Sequence, residues 1–150
     1  DLKFLKEKAI KFSEDDIKLK IIGKKNFSHK LNKLLIESEK KTSNNKKLQI
    51  NLALNYGSKD ELINAVKHLS KKKEKINQKN FEKYLFTRNI PDPDILIRTG
   101  NRNRLSNFLL WQLAYSEIFF IKKLWPDFNI KDYRKIINKF KKIKRNFGNI

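Results

Sequence analysis

Three arginines cluster in residues 97–108, IRTGNRNRLSNF, within a chain whose positive charge comes mostly from lysine. A planar guanidinium donates two parallel hydrogen bonds to phosphate oxygens, so arginine suits a phosphate or diphosphate site. Ser106 is the predicted N-cap of a helix over residues 108–115, and the free N–H groups at a helix N-terminus also attract anions. Arg98, Arg104 and Ser106 therefore predict a phosphate or diphosphate site.

A carboxylate follows eleven residues after Ser106, where Glu117 opens a predicted strand. We expect Glu117 to stand at the same crevice as the arginines. A lone carboxylate beside a diphosphate indicates a magnesium site, because Mg²⁺ is held by one or two carboxylates together with phosphate oxygens. An ion pair between Glu117 and a nearby lysine is an equally good interpretation, and the spacing leaves both open.

The composition excludes several other kinds of site. The 150 residues include no cysteine and two histidines, His29 and His68, which excludes disulfides, thiolate metal sites and a histidine-rich zinc centre. No GxGxxG or GxxxxGK motif occurs, so no glycine-rich nucleotide loop is predicted. Trp111, Trp125 and Phe128 lie in apolar runs, which predicts packing rather than stacking on nucleic-acid bases.

The net charge of +20 is supplied almost entirely by lysine. We interpret most of these lysines as solvated helix faces and not as a nucleic-acid footprint. No signal peptide is visible, and the longest apolar run, FLLWQLAY at 108–115, is far shorter than the ~20 residues of a membrane span. We therefore expect a cytoplasmic protein whose lysine-rich surface allows peripheral contact with membranes.

The elements that position the arginines alternate between helix and strand. Apolar periodicity predicts helices at 2–12, 27–41, 58–69, around 81–85, 108–115 and in the last segment, and strands at 17–22, 48–54, 94–98 and 117–121. Ser58 and Glu61 form a predicted capping box. The alternation predicts an α/β fold with an open, mostly parallel sheet flanked by helices, in a single domain over residues 1–150.

The third predicted strand, DILIR, is almost uniformly apolar, as is typical of a strand buried on both faces. Arg98 ends this strand. Ligands of such sheets bind outside the carboxyl ends of the strands, so the fold places the arginines where an anion would bind.

The stretch IRTGNRNRLSNFLLWQLAYSEIFF, followed by LWPDF, closely resembles the carboxyl-terminal signature of cis-prenyltransferases, the undecaprenyl diphosphate synthase family. IIG at 21–23 and LNYG at 54–57 match that family in order and spacing, so the resemblance covers nearly the whole chain. It implies a homodimer that adds isopentenyl diphosphate to an allylic diphosphate, usually farnesyl diphosphate, with cis geometry. The product would be an undecaprenyl-type diphosphate lipid carrier, and magnesium would stabilise the departing diphosphate.

By residue matching, the resemblance implies that Arg98, Arg104 and Ser106 bind the diphosphate of isopentenyl diphosphate. It implies that Glu117 contributes to the magnesium site. It also implies that Leu48 and Ile50 line the far end of an apolar tunnel for the growing prenyl chain.

The sequence departs from the family pattern within two of these motifs. The pattern has glycine and glutamate where this chain has Asn101 and Arg102, so the turn is less permissive and a negative charge becomes positive. In the motif NYGGR, Ser58 and Lys59 replace the second glycine and the arginine.

Two further departures concern residues outside these motifs. The family's R-x-G, which reaches across the dimer, corresponds here to RNFG, where Arg145 lies one residue too far from Gly148. No segment close to MDGNGRWA, whose aspartate binds magnesium in the family, occurs in the chain. We therefore expect a carboxyl-terminal portion that lacks the amino-terminal strands, contains no catalytic residue and is inactive alone. A non-catalytic subunit of a two-component prenyltransferase and a basic nucleic-acid-binding domain are the alternatives.

Overall fold

A computed structural model describes residues 2–146 of the chain, with side chains from residue 6 onward. Helices and strands alternate along most of the chain as predicted, but turns instead of a helix connect the last two strands, and both pairs of strands are parallel. The helices are α1 (Leu2–Glu14), α2 (His29–Lys41), α3 (Ser58–Lys71), α4 (Gln78–Glu82) and α5 (Ile130–Phe140); the strands are β1 (Ile17–Ile22), β2 (Leu48–Ala53), β3 (Ile95–Arg98) and β4 (Glu117–Phe120). None of the described helices could cross a membrane by its length and apolar character.

The residues up to Arg88 form one compact unit, and those from Asn89 onward form a second. In the first unit β1 pairs with β2, from Ile17 opposite Leu48 to Ile22 opposite Ala53. Buried Leu19 and Ile21 of β1 pack with Leu35 of α2 as the centre of a hydrophobic core. Alternation of side chains along β1 places both residues on one face, which explains why every second position is apolar.

The outer edge of β1 is closed by side chains of α2 and its C-cap. The backbone N–H of Leu19 donates to Oγ1 of Thr42 at 3.0 Å, and that of Ile21 donates to Oε1 of Glu39 at 2.8 Å. An exposed edge with free N–H groups is a site for unwanted strand pairing. These two bonds occupy the N–H groups of Leu19 and Ile21, so neither group is available for strand pairing.

The predicted capping box of α3 is wrong. Gly57 is the N-cap and contributes no side chain, while Ser58 and Glu61 are fully buried. Oε2 of Glu61 accepts the hydroxyl of Tyr56 at 2.5 Å, and Oε1 accepts the backbone N–H of Phe86 at 2.7 Å. The carboxylate of Glu61 thus bonds Tyr56 and Phe86 instead of the N-cap of its own helix. A buried carboxylate needs strong hydrogen bonds to offset the loss of water.

In the second unit β3 pairs with β4, from Ile95 opposite Glu117 to Arg98 opposite Phe120. The expectation that this strand is buried on both faces is wrong, since all four residues of β3 are half-buried. Among the described residues, β4 is the only strand that pairs with β3, so part of the surface of β3 stays accessible.

The predicted helix over 108–115 is also wrong, because this segment is a series of turns. Ser106, Asn107 and Leu109 have φ values of 52°, 63° and 46°, which a right-handed helix excludes. Leu113 is nevertheless buried at 6% exposure. The apolar spacing therefore did not distinguish these turns from a helix.

We expect Gly23→Ala to destabilise the first unit strongly. Gly23 has φ of 111°, and a Cβ there would lie 2.1 Å from the backbone oxygen of Leu54, which β-sheet pairing holds in place. The loss should exceed about 2 kcal/mol in urea denaturation followed by circular dichroism. The control is Gly100→Ala, at φ of 87° with no atom within 4 Å of its Cβ, where the cost should stay near about 1 kcal/mol. Equal losses would contradict the steric explanation.

We expect Glu61→Ala to cost about 2 to 4 kcal/mol of unfolding free energy, because it removes the acceptor of the Tyr56 and Phe86 bonds inside the protein. Tyr56→Phe should cost about 1 kcal/mol, and less in the Glu61→Ala background. The neighbouring Asp60→Ala is the matched control. Its carboxylate is 65% exposed and pairs with Lys24, so its loss should stay below about 1 kcal/mol. A larger effect at Asp60 than at Glu61 would refute this account.

Candidate functional site

The arginine loop, residues 98–107, is held at the carboxyl end of β3 by backbone bonds to the segment after β4. The N–H of Ile121 donates to the oxygen of Arg98 at 2.7 Å, that of Gly100 to Lys123 at 2.8 Å, and that of Asn101 to Ile121 at 3.1 Å. Gly100 and Asn101 turn the chain with φ of 87° and 54°. The loop therefore starts from a defined backbone position where two parallel strands end.

Arg98 is half-buried, and its Nε is a buried donor with no hydrogen-bond partner among the described residues. An unsatisfied buried donor costs about 1 to 3 kcal/mol. Native proteins rarely keep such a group unless something satisfies it. An anion bound at this edge would accept from Arg98, so the side chain is poised for a negatively charged ligand.

The arginine loop carries positive charge without an acidic residue in its own sequence. No acidic residue occurs between Asp94 and Glu117, a stretch that contains three arginines. Arg102 and Arg104 are exposed, and within residues 6–146 none of the three arginines forms an ion pair. This arrangement favours binding of a multivalent anion such as a diphosphate.

Ser106 belongs to the exposed part of the loop and does not cap a helix. An N-cap has extended backbone, whereas Ser106 has φ of 52° and is followed by turns. The predicted contribution of a helix N-terminus to the anion site is therefore wrong. Binding of a diphosphate by the hydroxyl of Ser106 and by Arg104 stays a prediction.

The strand register separates Glu117 from Arg98, and a crevice shared by Glu117 and Arg104 stays a prediction. Arg98 ends β3 opposite Phe120, whereas Glu117 begins β4 opposite Ile95. Three residues along a strand span ~10 Å, and the alternation of side chains puts Arg98 and Glu117 on opposite faces of the sheet. Arg98 and Glu117, which are nineteen positions apart in sequence, thus lie at opposite ends of one strand pair.

Glu117 instead lines a polar cavity of about 410 Å³ at the amino end of β4, together with Lys144 and Arg145. It forms no ion pair with a described residue, so the predicted lysine pair is wrong as well. Nowhere in the described part of the chain do three or more potential metal-ligating side chains come together. Because Glu117 and Arg98 lie on opposite faces of the strand pair, Glu117 does not fit a magnesium ion bound to a diphosphate at Arg98, and a role of Glu117 toward magnesium stays a prediction.

Arg145 contacts residues at the amino end of the β3–β4 pair. Nη1 bonds Oδ1 of Asp94 at 2.5 Å, Nη2 donates to the oxygen of Tyr115 at 3.0 Å, and the guanidinium lies 5.4 Å from the Phe140 ring centre. These contacts join the end of the chain to the residues just before β3 and β4. Gly148, the other residue of the altered R-x-G, lies outside the described residues.

The segment after β4 also belongs to the carboxyl edge, and sequence reasoning missed it. Lys123 accepts the N–H of Gly100 with its carbonyl, while its ammonium contacts both oxygens of Asp132 at 2.8 and 3.0 Å. The hydrogen bond from Lys123 and that from the backbone of Asn129 lower the pKa of Asp132. The sequence did contain a signal for this segment. Parallel strands end at the same edge of a sheet, and β4 ends at Phe120, so the residues after Phe120 are expected at the edge where ligands bind.

The two predicted tunnel residues lie in the first unit on one face of β2. Ile50 packs against the core around Leu19, whereas Leu48, at the amino end of the strand, is 52% exposed. Their proximity on one apolar face is confirmed by the register. Their role in lining a tunnel stays a prediction.

Comparison with known proteins agrees with this arrangement. The prenyltransferase family model described as undecaprenyl diphosphate synthase matches residues 2–148. The farnesyl-diphosphate-specific ditrans,polycis-undecaprenyl-diphosphate synthase of Wigglesworthia glossinidia brevipalpis is 43% identical over 93% of this chain and 56% of its own length. The chain spans 56% to 65% of the length of the curated relatives compared with it.

Two solved structures have the same fold as this chain. One is a probable undecaprenyl diphosphate synthase from Campylobacter jejuni, with a TM-score of 0.87 at 36% identity, covering 97% of this chain and 70% of that one. The other is lavandulyl diphosphate synthase from Lavandula x intermedia in complex with dimethylallyl diphosphate, with a TM-score of 0.91 at 31% identity, covering 98% and 67%. Sequence and fold agree on one assignment: the chain belongs to the undecaprenyl diphosphate synthase family of prenyltransferases.

Proposed function

We propose that this chain carries the isopentenyl diphosphate-binding part of a cis-prenyl chain-elongating transferase. The observation that supports this most is the buried, unpartnered Nε of Arg98 at the start of an acid-free loop with three arginines. In this proposal Arg98 and Arg104 bind the diphosphate, and Ser106 donates a hydroxyl to it. Anchored at the sheet edge, they would orient the isopentenyl double bond toward the second substrate.

The second substrate in this proposal is an allylic diphosphate, and farnesyl diphosphate is the favoured one. The relative from Wigglesworthia is described as farnesyl-diphosphate specific, and the lavender enzyme was solved with dimethylallyl diphosphate, which is also allylic. The product would be a longer polyprenyl diphosphate of the undecaprenyl type. Leu48 and Ile50, on the apolar face of β2, are the candidates for contact with its hydrocarbon chain.

We further propose that the protein works in the cytoplasm as a homodimer with peripheral membrane contact. The support for membrane contact is its charge of +20 and the exposed apolar side chains of Leu124 and Trp125, which are 62% and 72% accessible. Magnesium is expected from the family resemblance, and the proposed binding by the arginines does not depend on it, since the strand register separates Glu117 from Arg98.

We expect Arg98→Gln to weaken isopentenyl diphosphate binding by about 10- to 100-fold, the range for loss of a charge-assisted hydrogen bond. Isothermal titration calorimetry on the 150-residue protein measures the dissociation constant. Arg98→Lys should restore little of the affinity, because lysine cannot donate two parallel hydrogen bonds.

The matched control is Arg134→Gln, which removes the same charge from an exposed position on α5, outside the loop. It should leave the affinity unchanged, and circular dichroism should show both variants folded. Equal affinities of the two glutamine variants would place the diphosphate elsewhere.

A further inference from the structure

The arginine loop contains three arginines, and the proposed function assigns two of them to the diphosphate. Arg98 and Arg104 have been given to the diphosphate, and Arg102 lies between them in sequence. Arg102 is exposed, and its guanidinium forms no ion pair with any residue that the structure describes. It is therefore available to a ligand.

Arg102 follows Arg98 by four positions, in a loop whose first residues are hydrogen-bonded to the segment after β4. The strand pair ends at Arg98, and the N–H groups of Gly100 and Asn101 are bonded to the segment after β4 at 2.8 and 3.1 Å. Asn101 has φ of 54°, which turns the chain at the residue just before Arg102. Three residues lie between the two arginines across this turn, and a diphosphate is large enough to contact more than one guanidinium.

The charge balance favours a third cation at the site. Isopentenyl diphosphate carries about three negative charges at neutral pH, because a terminal phosphate has a second pKa near 6. Arg98 and Arg104 supply two positive charges. Without a bound anion three arginines in a loop free of acids repel one another, and a diphosphate relieves that repulsion.

We propose that Arg102 is a further diphosphate-binding residue, which raises the affinity of this chain for isopentenyl diphosphate. This inference rests on the proposed function, and it concerns a position where the family pattern has glutamate. Glutamate contributes a negative charge at this position, whereas Arg102 contributes a positive charge that attracts the ligand. The arginine thus makes binding tighter and more dependent on ionic strength.

The test is calorimetry of the 150-residue protein with isopentenyl diphosphate and, separately, with inorganic pyrophosphate. Arg102→Gln should weaken the affinity for both ligands by about three- to tenfold. This loss lies between that expected for an exposed ion pair and that expected for a charge-assisted hydrogen bond. Arg102→Glu should weaken both further. The dissociation constant of Arg102→Gln should also rise less between low and high salt than that of the unmodified protein.

The controls Arg134→Gln and Arg134→Glu make the same changes in net charge on α5. Equal losses at positions 102 and 134 would overturn the inference, because net charge alone would then explain them. Unchanged affinity in Arg102→Gln, with loss in Arg98→Gln, would overturn the inference and leave the proposed function intact. Absence of binding by the unmodified protein would instead refute the proposed function.

Discussion

The parallel pairing of β3 with β4 is the constraint on which the site depends. It joins Arg98 to Phe120 at one end and Ile95 to Glu117 at the other. The backbone bonds that anchor the arginine loop continue this pairing beyond the strands. The same register that places Arg98 at a ligand-binding edge also carries Glu117 away from it, so one geometric fact decides the position of both candidate residues.

Charge is distributed unevenly around this strand pair. At the amino end Arg145 is balanced by Asp94, and after β4 Lys123 is balanced by Asp132. The loop after β3 contains three arginines and no acid. Since exposed ion pairs contribute little to stability, this contrast matters more for binding than for folding. The carboxyl edge is where the described part of the second unit keeps positive charge available to a ligand.

Local sequence patterns failed where tertiary contacts offered a better partner. Ser58 and Glu61 have capping-box spacing, yet the carboxylate is buried and bonds Tyr56 and Phe86. Ser106 has N-cap chemistry, yet left-handed backbone at Ser106 and the residues after it excludes a helix. In both cases a local rule described what the residues could do, and the folded backbone did not follow it.

Most of the helices and strands, the parallel strand pairing and the family followed from the sequence, because apolar periodicity and the motif from Arg98 to Phe120 are local properties of the chain. The position of Arg98 at the end of β3 followed as well, since Arg98 ends an apolar run. Strand register, the turns at 106–115 and the separation of Glu117 from Arg98 came only from the tertiary structure. Pairing between distant segments sets those features, and no spacing along one segment encodes which residue of another strand it will face.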